Sequence, residues 1–202
     1  MSDSTQEKIF QNDIKQFIGM AKETNDFRAE YNTEPYWTNA AFGGMPTYNL
    51  SAKYSYSFIE KLDKTLRFLP RPADYLFLYF LSFFILLLVL KVDYKLAAVG
   101  ALAFGFSTYY IIILGVGHNA KAHAIAYMPL VLAGILLVLK NKLLLGFVLT
   151  AIAMALEINA SHPQMTYYLF FSVLILGLFY LIEAVKEKQV VSLLKRIGIV
   201  SI

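Results

Sequence analysis

Residues 73–91 read ADYLFLYFLSFFILLLVLK and carry one charged side chain, Asp74, before the closing Lys91. As an α-helix this run is about 28 Å long, close to the roughly 30 Å hydrocarbon core of a bilayer. Backbone groups in lipid must bond within their own segment, so the run predicts a transmembrane helix. Four more apolar runs follow, and a further helix is expected to begin near residue 197; the five predicted spans are 73–91, 96–114, 124–139, 143–158 and 165–182. The pattern therefore predicts an all-α, polytopic membrane protein with about five transmembrane helices.

The composition divides the 202-residue chain into two regions. Hydrophobic residues make up 58% and charged residues 16% of the chain, whereas a soluble domain has about 45–50% apolar and about 25% charged residues. The apolar excess lies after residue 72, which excludes a soluble enzyme, a disordered chain and a nucleic-acid binder for residues 73–202. We therefore assign residues 1–72 to an external loop region and residues 73–202 to a transmembrane helical bundle. Cysteine is absent, which excludes disulfides and thiolate metal sites.

The basic residues of the bundle predict its orientation. If the five spans alternate, eight of the nine lysines and arginines after residue 74 fall in loops on one side, and only Lys121 falls on the other. Basic loops are typical of the cytoplasmic side of a membrane protein. The pattern predicts a multi-pass protein of the bacterial inner (cytoplasmic) membrane with residues 1–72 outside the cytoplasm.

The external region contains two stretches with helical periodicity. Phe17, Met20 and Ala21 share one face of a helix expected over residues 13–23. Residues 56–69 are amphipathic, which suits a helix that lies in the plane of the membrane interface. The polar face of that second helix carries Glu60, Lys61, Asp63, Lys64 and Arg67.

An aromatic loop lies between these two helices. Residues 34–48 read EPYWTNAAFGGMPTY, and Gly43, Gly44 and Pro46 predict turns within it. Trp37 and its aromatic neighbours stand among polar groups. Such a surface suits contact with carbohydrate, and it suits packing on lipid headgroups equally well.

Two outer loops collect polar side chains, GHNAKAH at 117–123 and EINASHPQ at 157–164. They hold all three histidines of the chain, together with Lys121 and Glu157. Ionisable groups at membrane depth are costly and tend to mark functional sites. Lys121 and protonated imidazoles could bind a phosphate or pyrophosphate through charge-assisted hydrogen bonds. The alternative is that these are plain interfacial loops in contact with water and headgroups.

The same loops allow a metal site and two roles for Glu157. His118, His123, His162 and Glu157 are suitable ligand types for a divalent metal, although their spacing matches no known ligand motif; the cofactor is therefore left open. Glu157 either forms a structural ion pair with Lys121 or a histidine, or faces an aqueous pocket as a base. Of these two roles, we expect Glu157 to form the structural ion pair.

Asp13 stands at the start of the first predicted helix, where a carboxylate allows two roles. Beside a membrane pocket with basic groups, it could act as the general base that activates a sugar acceptor hydroxyl. A lipid-phosphate leaving group would then lie against Lys121 and the histidines. An exposed aspartate at a helix start is more often solvated or an N-cap, and Asp13 fits a cap well.

Several motifs together resemble the first external loop of YfhO-type bacterial membrane proteins, in the form of their Bacteroidetes branch. They are DIKQ at 13–16, Glu23, DFR at 26–28, EP at 34–35, WTN at 37–39 and FGGMPTY at 42–48. The later motifs GHNAK at 117–121 and NASHPQM at 159–165 also resemble outer loops of that family. The resemblance spans nearly the whole chain.

That family is similar to the GT-C glycosyltransferases, polytopic enzymes that use polyprenyl-phosphate sugars on the outer membrane face. The resemblance implies a catalytic base at Asp13. It implies a lipid-linked sugar donor and membrane lipids as partners, with no nucleic acid. Family proteins have a helix before this loop and many more spans, so this chain is expected to be the N-terminal portion of a longer polypeptide. The residues expected to bind substrate are Gln16, Arg28, Trp37, His118, Asn119, Lys121, His162 and Gln164.

The expected function is therefore part of a membrane glycosyltransferase that moves a sugar from a polyprenyl-phosphate donor to an acceptor on the extracytoplasmic face. The alternative is a non-enzymatic transporter or a lipid-binding scaffold. A transporter is expected to have charged or broken helices at the bilayer midplane. Here the span centres are apolar and the polar groups lie towards one face, which favours surface chemistry over passage.

Overall fold

The computed structural model describes residues 12–49 and 57–200. Within these ranges the chain forms ten α-helices and one antiparallel pair of two-residue strands, which confirms the all-α class. The chain divides into two compact units. We call them the N-terminal unit (Met1–Ser57 with Ile111–Asn119) and the helical unit (Phe58–Tyr110 with Ala120–Ile202). The division places the chain from Phe58 onward with the helices, earlier than the predicted boundary at residue 72.

The N-terminal unit begins with two helices in place of the one expected over residues 13–23. The helices are separated at Ala21, and the second continues well beyond the predicted end. A hairpin follows, in which Trp37 pairs with Pro46 and Thr38 with Met45. The elements are α1 (Asn12–Met20), α2 (Lys22–Tyr31), β1 (Trp37–Thr38), β2 (Met45–Pro46) and a 3-10 turn (Thr47–Asn49).

The rest of the described chain is helical. The expected interfacial helix is present over a shorter range than predicted, and the predicted spans are helical except for a break at Phe106 and Ser107 and the last two residues of 73–91. The elements are α3 (Phe58–Leu66), α4 (Ala73–Val89), α5 (Tyr94–Gly105), α6 (Thr108–Val116), α7 (Asn119–Leu139), α8 (Leu143–Asn159), α9 (Pro163–Lys186) and α10 (Val190–Val200). The last helix thus begins at Val190 and not near residue 197.

By length and composition, two or three membrane spans are supported instead of the five predicted. Among the described residues, α7 and α9 are long and apolar enough to span a bilayer, and α5 with α6 makes a third candidate if the pair counts as one bent span. The apolar helices α4 and α8 have 17 residues each, which corresponds to about 25 Å, somewhat less than the roughly 30 Å of the hydrocarbon core. Length and composition therefore support two or three spans.

The predicted span over 96–114 contains a break in the structure, which divides it into α5 and α6; the bent pair remains a candidate for one span. The axes of α5 and α6 differ by 43°. At the break the backbone bonds locally, with the Ser107 N–H donating to Phe104 O at 3.2 Å and the Tyr110 N–H donating to Ser107 O at 3.1 Å. Serine and threonine bond readily to nearby backbone groups and so favour helix ends over helix interiors. Ser107 and Thr108 accordingly stand where one helix ends and the next begins.

The predicted outer loops are shorter than expected, because two helices begin within them. The first residue of α7 is Asn119, and that of α9 is Pro163. Proline suits the first helical position, since its fixed φ is already helical and its missing N–H would have no partner there. Lys121, His123 and Gln164 are therefore helical residues.

Small residues lie at close helix contacts within the helical unit. In α5, Ala97 and Ala101 are buried, and a Cβ on Gly105 would collide with the Phe80 ring of α4. Between α7 and α8 the approach involves backbone: a Cβ on Gly134 would lie 2.7 Å from the backbone nitrogen of Thr150. Small residues at such contacts allow helices in membranes to approach closely.

Candidate functional site

Asp13 and His118, two of the predicted site residues, are in direct contact in the N-terminal unit. Asp13 Oδ2 lies 2.6 Å from His118 Nδ1, and both side chains are about half-exposed. Asp13 lies in the first turn of α1, and its suggested role as an N-cap stays a prediction. The pair places a carboxylate and an imidazole together at a surface open to solvent.

A helix end positions His118. Gly117 follows α6 with a φ of +89°, a left-handed conformation that glycine adopts without a steric penalty. The His118 N–H then donates back to Ile113 O at 3.2 Å, and the Asn119 N–H donates to Gly117 O at 2.7 Å. Such a glycine-containing turn is a common way to satisfy the last carbonyls of a helix. It places His118 and Asn119 at a defined corner between α6 and α7.

Three other predicted binding residues lie in the N-terminal unit. Gln16 is exposed on α1. The Arg28 guanidinium donates to both carboxylate oxygens of Glu34, at 2.8 and 2.5 Å, and this bidentate pair fixes the segment after α2. Trp37 is 56% exposed, and its indole N–H donates to Asn39 Oδ1 at 3.1 Å. Arg28 thus has a structural contact, whereas Trp37 keeps much of its surface open.

Each predicted binding residue of the helical unit has its own local neighbours. Lys121 Nζ lies 5.3 Å from the centre of the Tyr109 ring, within cation–π range. His162 is the N-cap residue of α9. The Gln164 side-chain N–H donates to the Tyr168 hydroxyl at 2.9 Å. The phosphate contacts expected of Lys121 and His162 stay predictions.

Glu157 does not have the contact that the sequence predicted. It is fully buried near the end of α8, and the Thr166 hydroxyl lies 3.0 Å from each of its carboxylate oxygens. The expected ion pair with Lys121 or a histidine is therefore corrected to a hydrogen bond with a neighbouring helix. For the metal, residues 12–49 and 57–200 contain no group of three or more histidine, aspartate and glutamate side chains placed to hold an ion.

A buried polar cluster in the helical unit was missed by the sequence reasoning. Asp63, predicted on the polar face of an interfacial helix, is 1% exposed. Its carboxylate lies 2.5 Å from His123 Nε2 and accepts a hydrogen bond of 2.7 Å from the Tyr127 hydroxyl. The Arg67 guanidinium donates to its other oxygen at 2.7 and 3.0 Å. Asp63 therefore connects α3 to α7.

The cluster extends to the start of α4. Arg67 lies 3.4 Å from Asp74, and the Arg71 guanidinium lies 4.0 Å from the same carboxylate. Both guanidinium groups also lie over the Tyr75 ring, at 5.6 and 5.4 Å from its centre. Two carboxylates thus face two guanidinium groups and an aromatic ring, so that the buried charges of Asp63 and Asp74 are compensated.

The hydrogen bonds of the cluster control the charge of Asp63. Burial raises the pKa of the Asp63 carboxyl, but hydrogen bonds from His123 and Arg67 outweigh burial and lower this pKa to about 2. Burial likewise opposes the charge of Arg67, yet its hydrogen bond to Asp63 leaves the pKa of the guanidinium raised. Because Asp63, His123 and Tyr127 are all buried, the cluster is suited to joining helices and not to contact with a substrate.

One signal in the sequence could have pointed to this cluster. Asp63 and Arg67 are four residues apart, a spacing at which helical side chains meet, and Asp74 and His123 interrupt otherwise apolar helices. Polar groups that enter apolar surroundings need partners. The pairing itself joins residues 60 positions apart, and helical periodicity carries no information about such a distant contact.

Comparison with known proteins adds no family assignment. No family model matches the chain, and neither a curated protein nor a solved structure matches it. The function of the chain is therefore inferred from its own residues and contacts.

Proposed function

We propose that the chain is part of a membrane glycosyltransferase, as expected of the YfhO-type proteins that its motifs resemble. It would transfer a sugar from a polyprenyl-phosphate donor to a hydroxyl acceptor on the extracytoplasmic face. The observation that carries this proposal is the 2.6 Å contact between Asp13 and His118, with both side chains about half-exposed. A positioned carboxylate that solvent and substrate can reach is suited to general-base catalysis.

In the proposed reaction the acceptor oxygen forms a bond to C1 of the sugar while the bond between C1 and the phosphate oxygen breaks. The polyprenyl phosphate leaves with the electron pair of that bond. Asp13 takes the hydroxyl proton on Oδ1, since its Oδ2 is held by His118. His118 acts as a positioning residue that fixes the orientation of the carboxylate.

The test is incorporation of label from polyprenyl-phosphate sugars into membrane acceptors, with the full-length polypeptide that contains this chain and its variants at matched membrane expression. A general base contributes about 10²–10⁴-fold to a rate, so Asp13→Asn is expected to lower transfer by about that factor. Asp26→Asn is the matched control, because Asp26 is an exposed carboxylate of the same unit that pairs with Lys22 at 3.3 Å. Transfer by this control is expected to equal that of the wild type.

Two outcomes would contradict the proposal. Transfer that Asp13→Asn leaves unchanged would remove Asp13 from the reaction. Absence of transfer by the full-length wild-type polypeptide, across several donor sugars, would favour the transporter or scaffold over a glycosyltransferase.

A second candidate, a transporter, is favoured by the break between α5 and α6. Discontinuous helices are typical of the substrate paths of secondary transporters, and these two helices are bent by 43° at Phe106 and Ser107. Vesicles with the purified chain would distinguish the candidates. Movement of a fluorescent lipid-phosphate sugar across the bilayer without sugar transfer would favour the transporter.

A further inference from the structure

We propose that the hairpin of the N-terminal unit inserts its aromatic side chains into the surface of a lipid bilayer, through Tyr36, Trp37, Phe42 and Tyr48, here called the hairpin aromatics. This proposal does not rest on the transfer reaction above. The four side chains are 79%, 56%, 90% and 63% exposed, respectively. The hairpin and its flanking residues thus present four large rings to the surroundings within thirteen residues.

The position of Phe42 is difficult to explain by folding alone. Its φ is +54°, in the left-handed region that a bulky side chain rarely adopts and that favours glycine or asparagine. Its ring is 90% exposed, so the ring contributes little to the packing of the unit. A residue held in such a conformation is a reason to look for a function of the side chain. A ring directed outward at the tip of a turn is suited to contact with something outside the protein.

The hairpin is held rigidly beneath these rings. The Glu23 carboxylate of α2 accepts hydrogen bonds from the Thr38 hydroxyl and from the N–H groups of Asn39 and Ala40, the last two at 2.9 Å each. The Gly44 N–H closes the tip by donating to Ala41 O at 2.9 Å. A surface that is ordered in advance loses less conformational entropy when it binds.

The indole of Trp37 is also fixed. Gly44 has a φ of +122°, and a Cβ at that residue would lie 2.8 Å from the indole ring of Trp37. The indole N–H is bonded to Asn39. One side of the ring is therefore packed against the hairpin, while more than half of the side chain stays exposed.

The absence of charged side chains in the hairpin favours lipid over a protein or a sugar as the occupant of this surface. Residues 35–52 contain no aspartate, glutamate, lysine, arginine or histidine, so the segment can enter the headgroup region without burying a charge. Tryptophan and tyrosine concentrate at that depth because one end of each ring system is apolar and the other polar. The chain also has α7 and α9, which are long and apolar enough to cross a bilayer, so lipid is the surface such a chain meets.

A carbohydrate site would be expected to have a different form. Sugar-sized ligands bind in concave pockets in which a few polar groups converge. Within the described residues of the N-terminal unit, a cavity of about 470 Å³ is lined by Lys22, Glu23, Asp26 and Phe27 among others and includes none of the hairpin aromatics. Phe42 instead is almost entirely exposed. The aromatic rings and the cavity are separate features.

The experiment uses Trp37, the single tryptophan of the chain, as its own reporter. The full chain is reconstituted in phosphatidylcholine vesicles whose acyl chains are brominated, and tryptophan emission is compared with that in unbrominated vesicles. Bromine quenches tryptophan only over short distances, so insertion is expected to give strong quenching by the brominated lipid and weak quenching by aqueous iodide. Strong iodide quenching with no effect of the brominated lipid would overturn the proposal.

Phe42→Asp provides the second measurement, since it adds a charge to the tip at a position that packs against little. Loss of one large apolar ring is expected to lower the inserted population by about tenfold, seen as loss of bromolipid quenching. Phe17→Asp is the control, because Phe17 is 44% exposed on α1 of the same unit and outside the hairpin; its bromolipid quenching is expected to equal that of the wild type. Circular dichroism verifies that both variants fold.

Three results would contradict insertion through Phe42. The first is unchanged bromolipid quenching in Phe42→Asp, and the second is equal loss in both variants. The third is a shift of Trp37 emission on addition of maltoheptaose without quenching by brominated lipid, which would assign the surface to carbohydrate.

Discussion

At the scale of single residues, the contacts of Asp63 make a buried charge stable. The carboxylate accepts hydrogen bonds from Tyr127 and Arg67 and pairs with His123, and its charge is balanced by the guanidinium. Removing one partner of such a pair leaves the other buried and uncompensated, which costs more than the pair itself contributes. The stability of the helical unit should therefore depend on Asp63 more than on exposed ion pairs of the same helix.

Asp63→Asn is expected to lower the free energy of unfolding by about 3–5 kcal/mol, because Arg67 loses its buried counter-charge. The measurement is unfolding of the purified chain in detergent, followed by circular dichroism. Glu60→Gln is the matched control in the same helix. Its exposed partner Lys64 lies at 2.6 Å, and exposed pairs contribute about 0–1 kcal/mol. Equal losses of stability in both variants would contradict a special role for Asp63.

The same variant tests whether the negative charge of Asp63 is responsible for this contribution to the free energy of unfolding. The folded protein lowers the pKa of Asp63 from its ordinary 3.8 to about 2, so the unfolded chain binds the proton first as the pH falls. The stabilisation by the carboxylate is then fully present above about pH 4 and lost as the pH falls through about 2. The difference in stability between wild type and Asp63→Asn should narrow over that range. If the difference in free energy of unfolding between wild type and Asp63→Asn did not change with pH, the loss of stability would come from altered side-chain packing and not from the lost charge.

The sequence identified candidate residues, but it predicted only some of the contacts that these residues make. Helical spacing grouped Asp63 with Glu60, Lys61, Lys64 and Arg67 on the polar face of the predicted interfacial helix. It did not predict that this face turns partly inward, because His123 and Tyr127 come from a helix more than fifty residues away in the chain. Asp13 and His118 were both selected from sequence, whereas their 2.6 Å contact came from the fold.

At the scale of elements, α7 and α8 approach each other through glycine. Gly134→Ala is expected to destabilise the chain by about 1–3 kcal/mol, since overpacking of a close contact forces the backbone to shift. The new methyl group would lie 2.7 Å from the backbone nitrogen of Thr150. The measurement is the midpoint of thermal unfolding in detergent.

Gly177→Ala is the control for this substitution. Gly177 lies within α9, and a Cβ there would have no atom within 4 Å. Alanine has a higher helix propensity than glycine, so this variant should be neutral or more stable by up to about 1 kcal/mol. Equal destabilisation by the two substitutions would mean that the contact between α7 and α8 does not limit stability.

The boundaries of elements were predicted less well than their type. Apolar runs correctly marked most of each predicted span as helix, because hydrophobicity over a long window is a strong signal. The break after Gly105 and the early start of α7 depend on local bonds of Ser107 and Gly117. Composition over a window carries no information about individual hydrogen bonds. The polar residues 119–123 were therefore assigned to a loop, although they lie at the start of a helix.

At the scale of the whole molecule, the number of spans is where sequence and structure differ most. Hydropathy predicts five, whereas α7, α9 and the bent pair of α5 and α6 account for two or three by length. Helices of 17 residues such as α4 and α8 lie at the lower end of the range that crosses a bilayer, which is about 17–25 residues. Whether these shorter helices also cross determines the side of each loop.

The natural absence of cysteine allows a direct test of this topology with single cysteines and a membrane-impermeant maleimide on intact cells. Lys22, Asn141, Gln164 and Glu187 are exposed positions in successive segments. If α4, the pair of α5 and α6, α7, α8 and α9 each cross once and residues 1–72 lie outside, Lys22→Cys and Gln164→Cys should be labelled from outside. Asn141→Cys and Glu187→Cys should react only after permeabilisation, because basic loops remain cytoplasmic. Labelling of Asn141→Cys and Gln164→Cys from the same side would show that α8 does not cross the membrane. Protection of Lys22→Cys from the external reagent would reverse the predicted orientation, and the extracytoplasmic placement of Asp13 and His118 depends on that orientation.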